Sequence, residues 1–320
     1  MKFLKVISTL FLTLCLAGLV AACAGQESDN GSEEKIEIPK VSEETINEPY
    51  YVLVIGQDSR TGTVEINEPA YADGTGRSDT IMLVRIDERK NELALISVPR
   101  DTKAELDGST VKINEIFRQG GARALADEVE VLTNTSIKYC LTMSFVQFER
   151  FIDELGGISA DVPITMGLAD IVSGAMISLS AGEQELNGQQ ALVLSRTRKA
   201  YANDLDACRQ IQNRHLVQRG IQKVLDNPTQ AAMHAQVLID NVETDWPKAD
   251  LLKTISYFAS KADLVKFVLA TGPYAGGIDN SAGGLWLAAR DEAVWAQLID
   301  AVENGEDPST IVALPRVAAA

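Results

Sequence analysis

Histidine is almost missing from this chain of 320 residues: only His215 and His234 occur, and cysteine occurs four times. No CxxC or other metal-ligand spacing is present, and two histidines leave little room for a zinc centre or a Ser-His catalytic pair. A positive balance is missing as well. Lys and Arg total 29 against 45 Asp and Glu, a formal net charge of −16. Nucleic-acid binding needs a basic face, so nucleic acid is not an expected partner. No internal repeat and no second domain boundary is visible. What remains is 46% apolar and 23% charged. That is globular composition, with core enough for one large domain or two small ones.

Basic residues are sparse at the N-terminus. Lys2 and Lys5 precede an apolar segment over 6–22, and the next basic residue is Lys35. This is the pattern of a signal peptide or membrane anchor with its positive end inside. Val20-Ala21-Ala22-Cys23 is similar to a bacterial lipobox, in which Cys23 is lipidated and becomes the mature N-terminus. An uncleaved single span is the alternative, since the segment sits at the lower length limit for crossing a bilayer. Either way, residues 1–22 direct the chain to the membrane and the rest lies outside the cytoplasm. Residues 23–48 read as an acidic disordered tether, 49–305 as a single domain, and 306–320 as a tail. Beyond the anchor only Cys140 and Cys208 remain, either as one disulfide or as two small buried hydrophobes.

Against this acidic background, arginine collects in one place. Ile81 to Val84 and Leu93 to Ile96 are rich in β-formers, and the polar run 87–91 separates them, which predicts an antiparallel hairpin. If its turn centres on Arg89, facing residues have numbers summing to about 178 or 179. Asp79 then lies opposite Pro99 and Arg100, and Arg77 lies near Asp101. A second hairpin, turning at Asp107-Gly108 with sums near 215, sets Lys112 opposite Lys103 and beside Thr102. Arginine forks match phosphate oxygens bidentately, and a carboxylate can hold the magnesium that bridges them. The same pattern is compatible with a surface hairpin carrying weak ion pairs at its mouth.

Further along, Tyr50 to Ile55 predicts a strand, and residues 61–76 a polar flap. A helix is predicted over 122–132. Another runs over 144–155, with Ser144 and Gln147 as capping box and Gly156 as stop. Its stripe of Phe145, Phe148, Ile152 and Leu155 reads as core, although a tunnel would be lined by such residues. A strand is expected over 158–163 and irregular chain over 164–187. Helices follow after Asn187-Gly188, over 206–225, over 249–259 and over 290–302, with 272–284 as loop. An extended Arg196-Thr197-Arg198 would place both arginines on one face. Arg209 and Asn213 fall one helical turn apart.

The runs Gly56-Gln57-Asp58-Ser59-Arg60, Gly76-Arg77-Ser78-Asp79-Thr80, Pro99-Arg100-Asp101-Thr102, Lys112-Ile113-Asn114 and Arg196-Thr197-Arg198 together resemble the LytR-CpsA-Psr family, in order and spacing. The resemblance is strong over residues 50 to about 225 and looser to about 305. It implies an α/β fold of α-β-α layers, with a central mixed, largely antiparallel sheet flanked by helices and an apolar tunnel for a polyprenyl tail. It implies transfer of a glycopolymer from a polyprenyl-pyrophosphate carrier onto peptidoglycan. The partners implied are the polyprenyl-(pyro)phosphate-linked glycan, peptidoglycan and the membrane, with Mg2+ or Mn2+ as cofactor. By motif match Asp58 and Asp79 hold the metal. Asp79, Arg100, Asp101, Arg196 and Arg198 are the catalytic candidates; Arg77, Lys112, Arg209, Asn213 and, more weakly, Arg60 contact phosphate. Asn213 departs from the family's usual Gln and reaches less far; Arg214 beside it is expected to face solvent. A non-catalytic polyprenyl-phosphate binder or regulator, or a pyrophosphate hydrolase, would use the same pocket.

Overall fold

The computed structural model describes residues 47–65, 76–203, 205–226 and 229–319. The anchor segment, Cys23, all of the expected tether except Asn47 and Glu48, and most of the expected flap lie outside the described residues. Among the described residues no helix is long and apolar enough to cross a membrane.

Taken along the chain, β1 (Tyr50–Gln57), β2 (Ser78–Asp87) and β3 (Glu92–Ser97) are the apolar runs read from the sequence. The hairpin β4 (Lys103–Leu106) and β5 (Ser109–Lys112) follows. Then come α1 (Ile113–Thr133), β6 (Ile137–Ser144), α2 (Phe145–Glu154) and β7 (Ile158–Val162). The next elements are β8 (Met166–Ala169), β9 (Met176–Leu179), β10 (Gly182–Leu186), α3 (Gly188–Arg196) and α4 (Leu205–Leu225). The chain continues through α5 (Ala231–Asn241), β11 (Glu243–Thr244), α6 (Lys248–Ala259) and β12 (Lys266–Thr271). The hairpin β13 (Gly276–Asp279) and β14 (Leu285–Ala288) precedes α7 (Glu292–Asn304).

The main sheet runs β11-β6-β1-β2-β3-β12. Its β1–β2, β2–β3 and β6–β11 pairs are antiparallel; β1–β6 and β3–β12 are parallel. Strand alternation divides the core. Val52, Met82, Val84, Ile86 and Leu95 face α2, α4, α5 and α6, while Leu53, Ile55, Leu83 and Ile96 face α1 and α7. The result is an α-β-α sandwich around a mixed, largely antiparallel sheet, as the sequence led us to expect.

Pairing arithmetic survives in detail. Met82 to Asp87 pair with Ser97 to Glu92 at a constant sum of 179, and Lys103 pairs with Lys112. The capping box of α2 is present, Ser144 Oγ accepting from Gln147 N and Gln147 Oε1 accepting from Ser144 N.

Several expectations are corrected. Residues 164–187 are not irregular: β8 pairs β9, and β10 pairs β7. These strands are four or five residues long and exposed, so alternation has too few positions to register. Helix α1 starts nine residues earlier than predicted and kinks at Gly121, whose φ of 72° only glycine adopts comfortably. Of the two readings left open for the cysteines, the buried one holds: Cys140 and Cys208 are free buried thiols, in cores on opposite faces of the sheet.

Candidate functional site

The site begins with a defect in a strand. Gly56 pairs with Thr80 but Gln57 pairs with Ser78, so Asp79 has no partner across β1 and forms a β-bulge. A bulge bends the strand and re-aims the extra side chain. Beside it, Asp58 N donates to Arg77 O at 2.7 Å. That approach requires glycine at position 76, where a Cβ would meet Ser59 N at 2.6 Å and the Asp58 carbonyl carbon at 2.7 Å. Both carboxylates are thereby brought to one polar pocket of about 670 Å³.

Cations ring that pocket. Arg60, Arg77, Arg100, Lys112, Arg196, Arg198 and Arg209 all line it, with Asp101 and Glu115. Arg100 donates through Nη1 to Asp79 and lies with Nε 3.1 Å from Asp206 Oδ1. The buried Arg209 donates from Nη2 to Asp206 Oδ1 at 2.9 Å and to the Asp79 carbonyl at 2.8 Å. Arg198 Nη1 is 4.0 Å from the same Asp206 oxygen, and Gln210 Nε2 donates to its other oxygen at 2.8 Å. Asp206 is therefore the anionic hub of three arginines. Burial alone would raise its pKa, but Arg209 and Arg100 hold it down to about 2. Burial also works against the charge on Arg100, and Asp79 and Asp206 more than offset it.

A second pair of cations stands on an aromatic ring. Phe145, first residue of α2, lies 5.6 Å from the Arg60 guanidinium carbon and 5.2 Å from that of Arg196. Burial and then the repulsion of Arg60 lower the pKa of Arg196. Arg60 pairs with Asp58 at 2.9 Å and Glu65 at 3.0 Å. One turn beyond Phe145, buried Glu149 hydrogen-bonds Asp170, and burial with the Asp170 charge pushes the Glu149 carboxyl up to about 8. Asp170 also accepts from Ser173 N at 2.7 Å, which fixes the β8–β9 turn whose Ala169 carbonyl meets Arg196 Nη1 at 3.5 Å.

Behind the polar pocket lies an apolar cavity of about 270 Å³ on the α2, α4, α5 and α6 side of the sheet. Val52, Val84, Phe148, Phe151, Val217, Gly220 and Phe258 are among its walls. Asp79, Phe145, Arg196 and Arg209 line both cavities. An apolar space thus ends directly on guanidinium groups.

The pocket also suits a divalent cation. The buried Asp58 Oδ1 faces Arg60 Nη2 at 2.9 Å as an ion pair without an aligned hydrogen bond, and burial followed by the charge of Asp79 raises the Asp58 pKa to about 6. Two carboxylates that repel in a buried site are relieved by a shared cation. Among the described residues no three His, Cys, Asp or Glu side chains converge on one point, so such an ion would need oxygens from a phosphate ligand, as magnesium commonly does.

The structure brings Asp58, Asp79, Arg100, Asp101, Arg196, Arg198, Arg60, Arg77, Lys112 and Arg209 to one pocket. Some of their contacts differ from those expected from the sequence. Asp101 lies 2.8 Å from Lys112, and Arg77 turns to Glu115 at 2.8 Å rather than to Asp101. Arg196 and Arg198 do not share one extended segment: Arg196 is the last residue of α3, and Thr197 is its extended C-cap. Asn213 lines the apolar cavity and not the polar pocket. Its amide is satisfied when the nitrogen donates to the Ser195 carbonyl at 3.0 Å and the oxygen accepts from Arg209 Nη1 at 3.0 Å and Thr80 Oγ1 at 2.7 Å. Its contacts therefore orient Arg209. Arg214 is fully buried instead of facing solvent, donating from Nη1 to the Ala270 carbonyl at 2.7 Å and Ser97 Oγ at 3.2 Å. Sequence reading missed Asp206, Glu115 and Glu149. The i, i+3 spacing of Asp206 and Arg209 on a predicted helix was the available signal.

Comparison with known proteins gives a consistent picture. A model of the LytR_cpsA_psr family matches residues 17–295. Over 156 residues the chain is 32% identical to the polyisoprenyl-teichoic acid–peptidoglycan teichoic acid transferase TagV of Bacillus subtilis (strain 168), covering 47% of this chain and 38% of that protein. The chain thus spans well under half the length of that relative. Over 269 residues it is 28% identical to TagU of Enterococcus faecalis, a transferase of the same description, covering 82% of this chain and 83% of that one. Among solved structures, B. subtilis TagV superposes with a TM-score of 0.63 at 23% identity, over 84% of this chain and 99% of that one. TagT bound to LI-WTA superposes at 0.61 with 19% identity, over 84% and 94%. At these identities the structural likeness speaks for a shared fold.

Proposed function

This chain belongs to the LytR_cpsA_psr family, and from that premise we propose that it transfers a glycopolymer from a polyprenyl-pyrophosphate carrier to a sugar hydroxyl of peptidoglycan. The observation that carries this reading is the junction of the two cavities. A lipid pyrophosphate is an apolar chain ending in concentrated negative charge, and the apolar cavity ends on Arg196 and Arg209. Relatives named as polyisoprenyl-teichoic acid–peptidoglycan teichoic acid transferases support the same reaction class.

Phosphoryl transfer asks the protein mainly for positioning and charge neutralisation. Arg100, Arg196, Arg198 and Arg209 hold the pyrophosphate oxygens, and the apolar cavity receives the first part of the polyprenyl tail. Asp58 and Asp79 would hold magnesium or manganese, which supplies further neutralisation of phosphate charge when bound. The acceptor hydroxyl attacks the sugar-side phosphorus, its oxygen forms the new P–O bond, and polyprenyl phosphate leaves as the bridging P–O bond breaks. Asp101, paired to Lys112, and Asp79, paired to Arg100, are the carboxylates available to take the hydroxyl proton. With the N-terminal segment as a lipid or helical anchor, the domain works on the outer face of the membrane.

The test is incubation of residues 27–320 with polyprenyl-pyrophosphate oligosaccharide, peptidoglycan fragments and magnesium, followed by mass spectrometry. A glycan-phosphate adduct on peptidoglycan is the expected product. Tight lipid retention with no adduct would make the protein a lipid-phosphate binder, and release of glycan phosphate to water would make it a hydrolase.

A further inference from the structure

We propose that the segment 316–319 is a positioning element of the arginine cluster, seating residues 198–203 and, through Asp206, the guanidinium groups of Arg100 and Arg209. This inference rests on the reading of the pocket as a pyrophosphate site. It concerns residues beyond 295, where the family match ends.

The segment closes over the loop by backbone. Ala202 N donates to the Ala318 carbonyl at 2.9 Å, and Tyr201 and Ala319 form an antiparallel bridge. Cys208, one turn into α4, directs its thiol between the Asn203 and Arg316 carbonyls, 3.5 Å from each. Val317 packs on the main core, and Tyr201 and Cys208 beneath are almost wholly buried. The loop is also tied to the site, because Tyr201 N donates to the Arg198 carbonyl at 3.0 Å.

The mechanical consequence falls on Asp206. It occupies the first turn of α4, and helix ends fray unless held. Its carboxylate is nevertheless the common ion-pair partner of Arg100 and Arg209. The tail pins the chain on both sides of Asp206, at Ala202 and at Cys208. A displacement of about 1 Å in a positioning group can cost on the order of 10²-fold in rate. Held by the tail, Asp206 keeps the arginines spaced for an in-line transfer.

The experiment compares the full chain with four variants: a chain ending at Leu314, Val317→Ser, Asp206→Asn, and the truncation combined with Asp206→Asn. Inorganic pyrophosphate with magnesium, read by calorimetry, reports on the cluster without any transfer. We expect truncation to lower pyrophosphate affinity several-fold and kcat about tenfold or more, with KM for the lipid donor within about threefold. Val317→Ser should repeat the pattern more weakly at nearly unchanged melting temperature. Truncation on top of Asp206→Asn should add less than about twofold, because the two act through one group. Unchanged pyrophosphate affinity in the truncated chain, or losses that multiply fully in the double variant, overturns the proposal. Should truncation prevent folding, Val317→Ser decides by the same readouts. If the full chain transfers nothing, the function proposed above falls, while pyrophosphate affinity still reads the tail's effect on the arginines.

Discussion

The guanidinium of Arg100 bonds the carboxylate of Asp79, the residue that a β-bulge ejects from strand β2. Asp79 lies in β2, and Arg100 lies in the turn three residues beyond the end of β3, so the site sits at the open end of one local hairpin. Arg100 reaches Asp79 with Nη1 while Nε faces Asp206 at 3.1 Å. That double engagement uses the separated donors of a planar fork, which an ammonium group does not have.

Arg100→Lys should therefore cost more than its conserved charge suggests. We expect transfer to fall at least about tenfold, equivalent to about 1.4 kcal/mol of barrier. Retention of the lipid phosphate should stay within a few-fold, since Arg196, Arg198 and Arg209 remain. Parallel measurement of transfer and lipid binding checks this. Full transfer activity in the Lys variant would remove Arg100 from the reaction.

If Asp58 holds a divalent ion as proposed, that binding is pH-dependent. Burial and the neighbouring Asp79 raise its pKa from the usual 3.8 to about 6. The folded chain thus carries a proton there between about pH 4 and 6 that the unfolded chain lacks. The associated stability is fully present below the unfolded value and is lost as pH rises through about 6. A divalent ion competes with that proton. Binding of magnesium plus pyrophosphate should weaken as pH falls below about 6, and Asp58→Asn should flatten the profile. Calorimetry over pH 5 to 7.5 decides the matter, and a flat wild-type profile would sink the assignment.

Much of this site was legible in the sequence because hairpin pairing is local. Once the turns were placed at Arg89 and at Asp107-Gly108, addition alone set Asp79 beside Arg100 and Lys112 beside Thr102. The α/β class came from the resemblance to the LytR-CpsA-Psr family, whereas individual strands and helices were read from apolar runs and 3.6-residue periodicity. Asp206 was hidden because its partners Arg100 and Arg198 come from other elements, and an acidic residue opening a helix reads as dipole matching. Arg214 was misread for a similar reason. Arginine is normally exposed, and only the packing of α4 across β3 and β12 gives its fork the Ala270 and Ser97 acceptors. The strands β8 to β10 were too short to show a period, so tertiary pairing alone reveals them.

Glu149 offers a separate titration. Burial and Asp170 hold its pKa near 8 against the usual 4.5, so it is protonated at neutral pH and donates to Asp170. The associated stability is complete below the unfolded value and is lost as pH rises through about 8. Melting temperature should therefore drop between pH 7 and 9. Glu149→Gln keeps a donor and removes the titration, so its melting curve should move less over that range. Identical pH dependence in both proteins would mean the pair does not share a proton.

The apolar cavity provides the most selective test of the lipid reading. Gly220 lies on α4 and lines the cavity, and a Cβ there would meet only Phe151 Cε1, at an ordinary 3.7 Å. Glycine inside a helix costs roughly 1 kcal/mol relative to alanine, so a larger residue improves the helix itself. Gly220→Leu should thus leave the melting temperature equal or higher while its side chain occupies part of the 270 Å³. A polyprenyl tail would then compete with that side chain for space. We expect affinity for a polyprenyl phosphate to fall about tenfold or more, about 1.4 kcal/mol. Affinity for inorganic pyrophosphate should stay within about twofold, because the cations that hold it are untouched. The divergence of the two ligands is what matters, since a general loss of structure would weaken both. Unchanged lipid affinity in a stable Gly220→Leu protein would show that the tail does not enter this cavity, and the junction of apolar space with Arg196 and Arg209 would need another explanation.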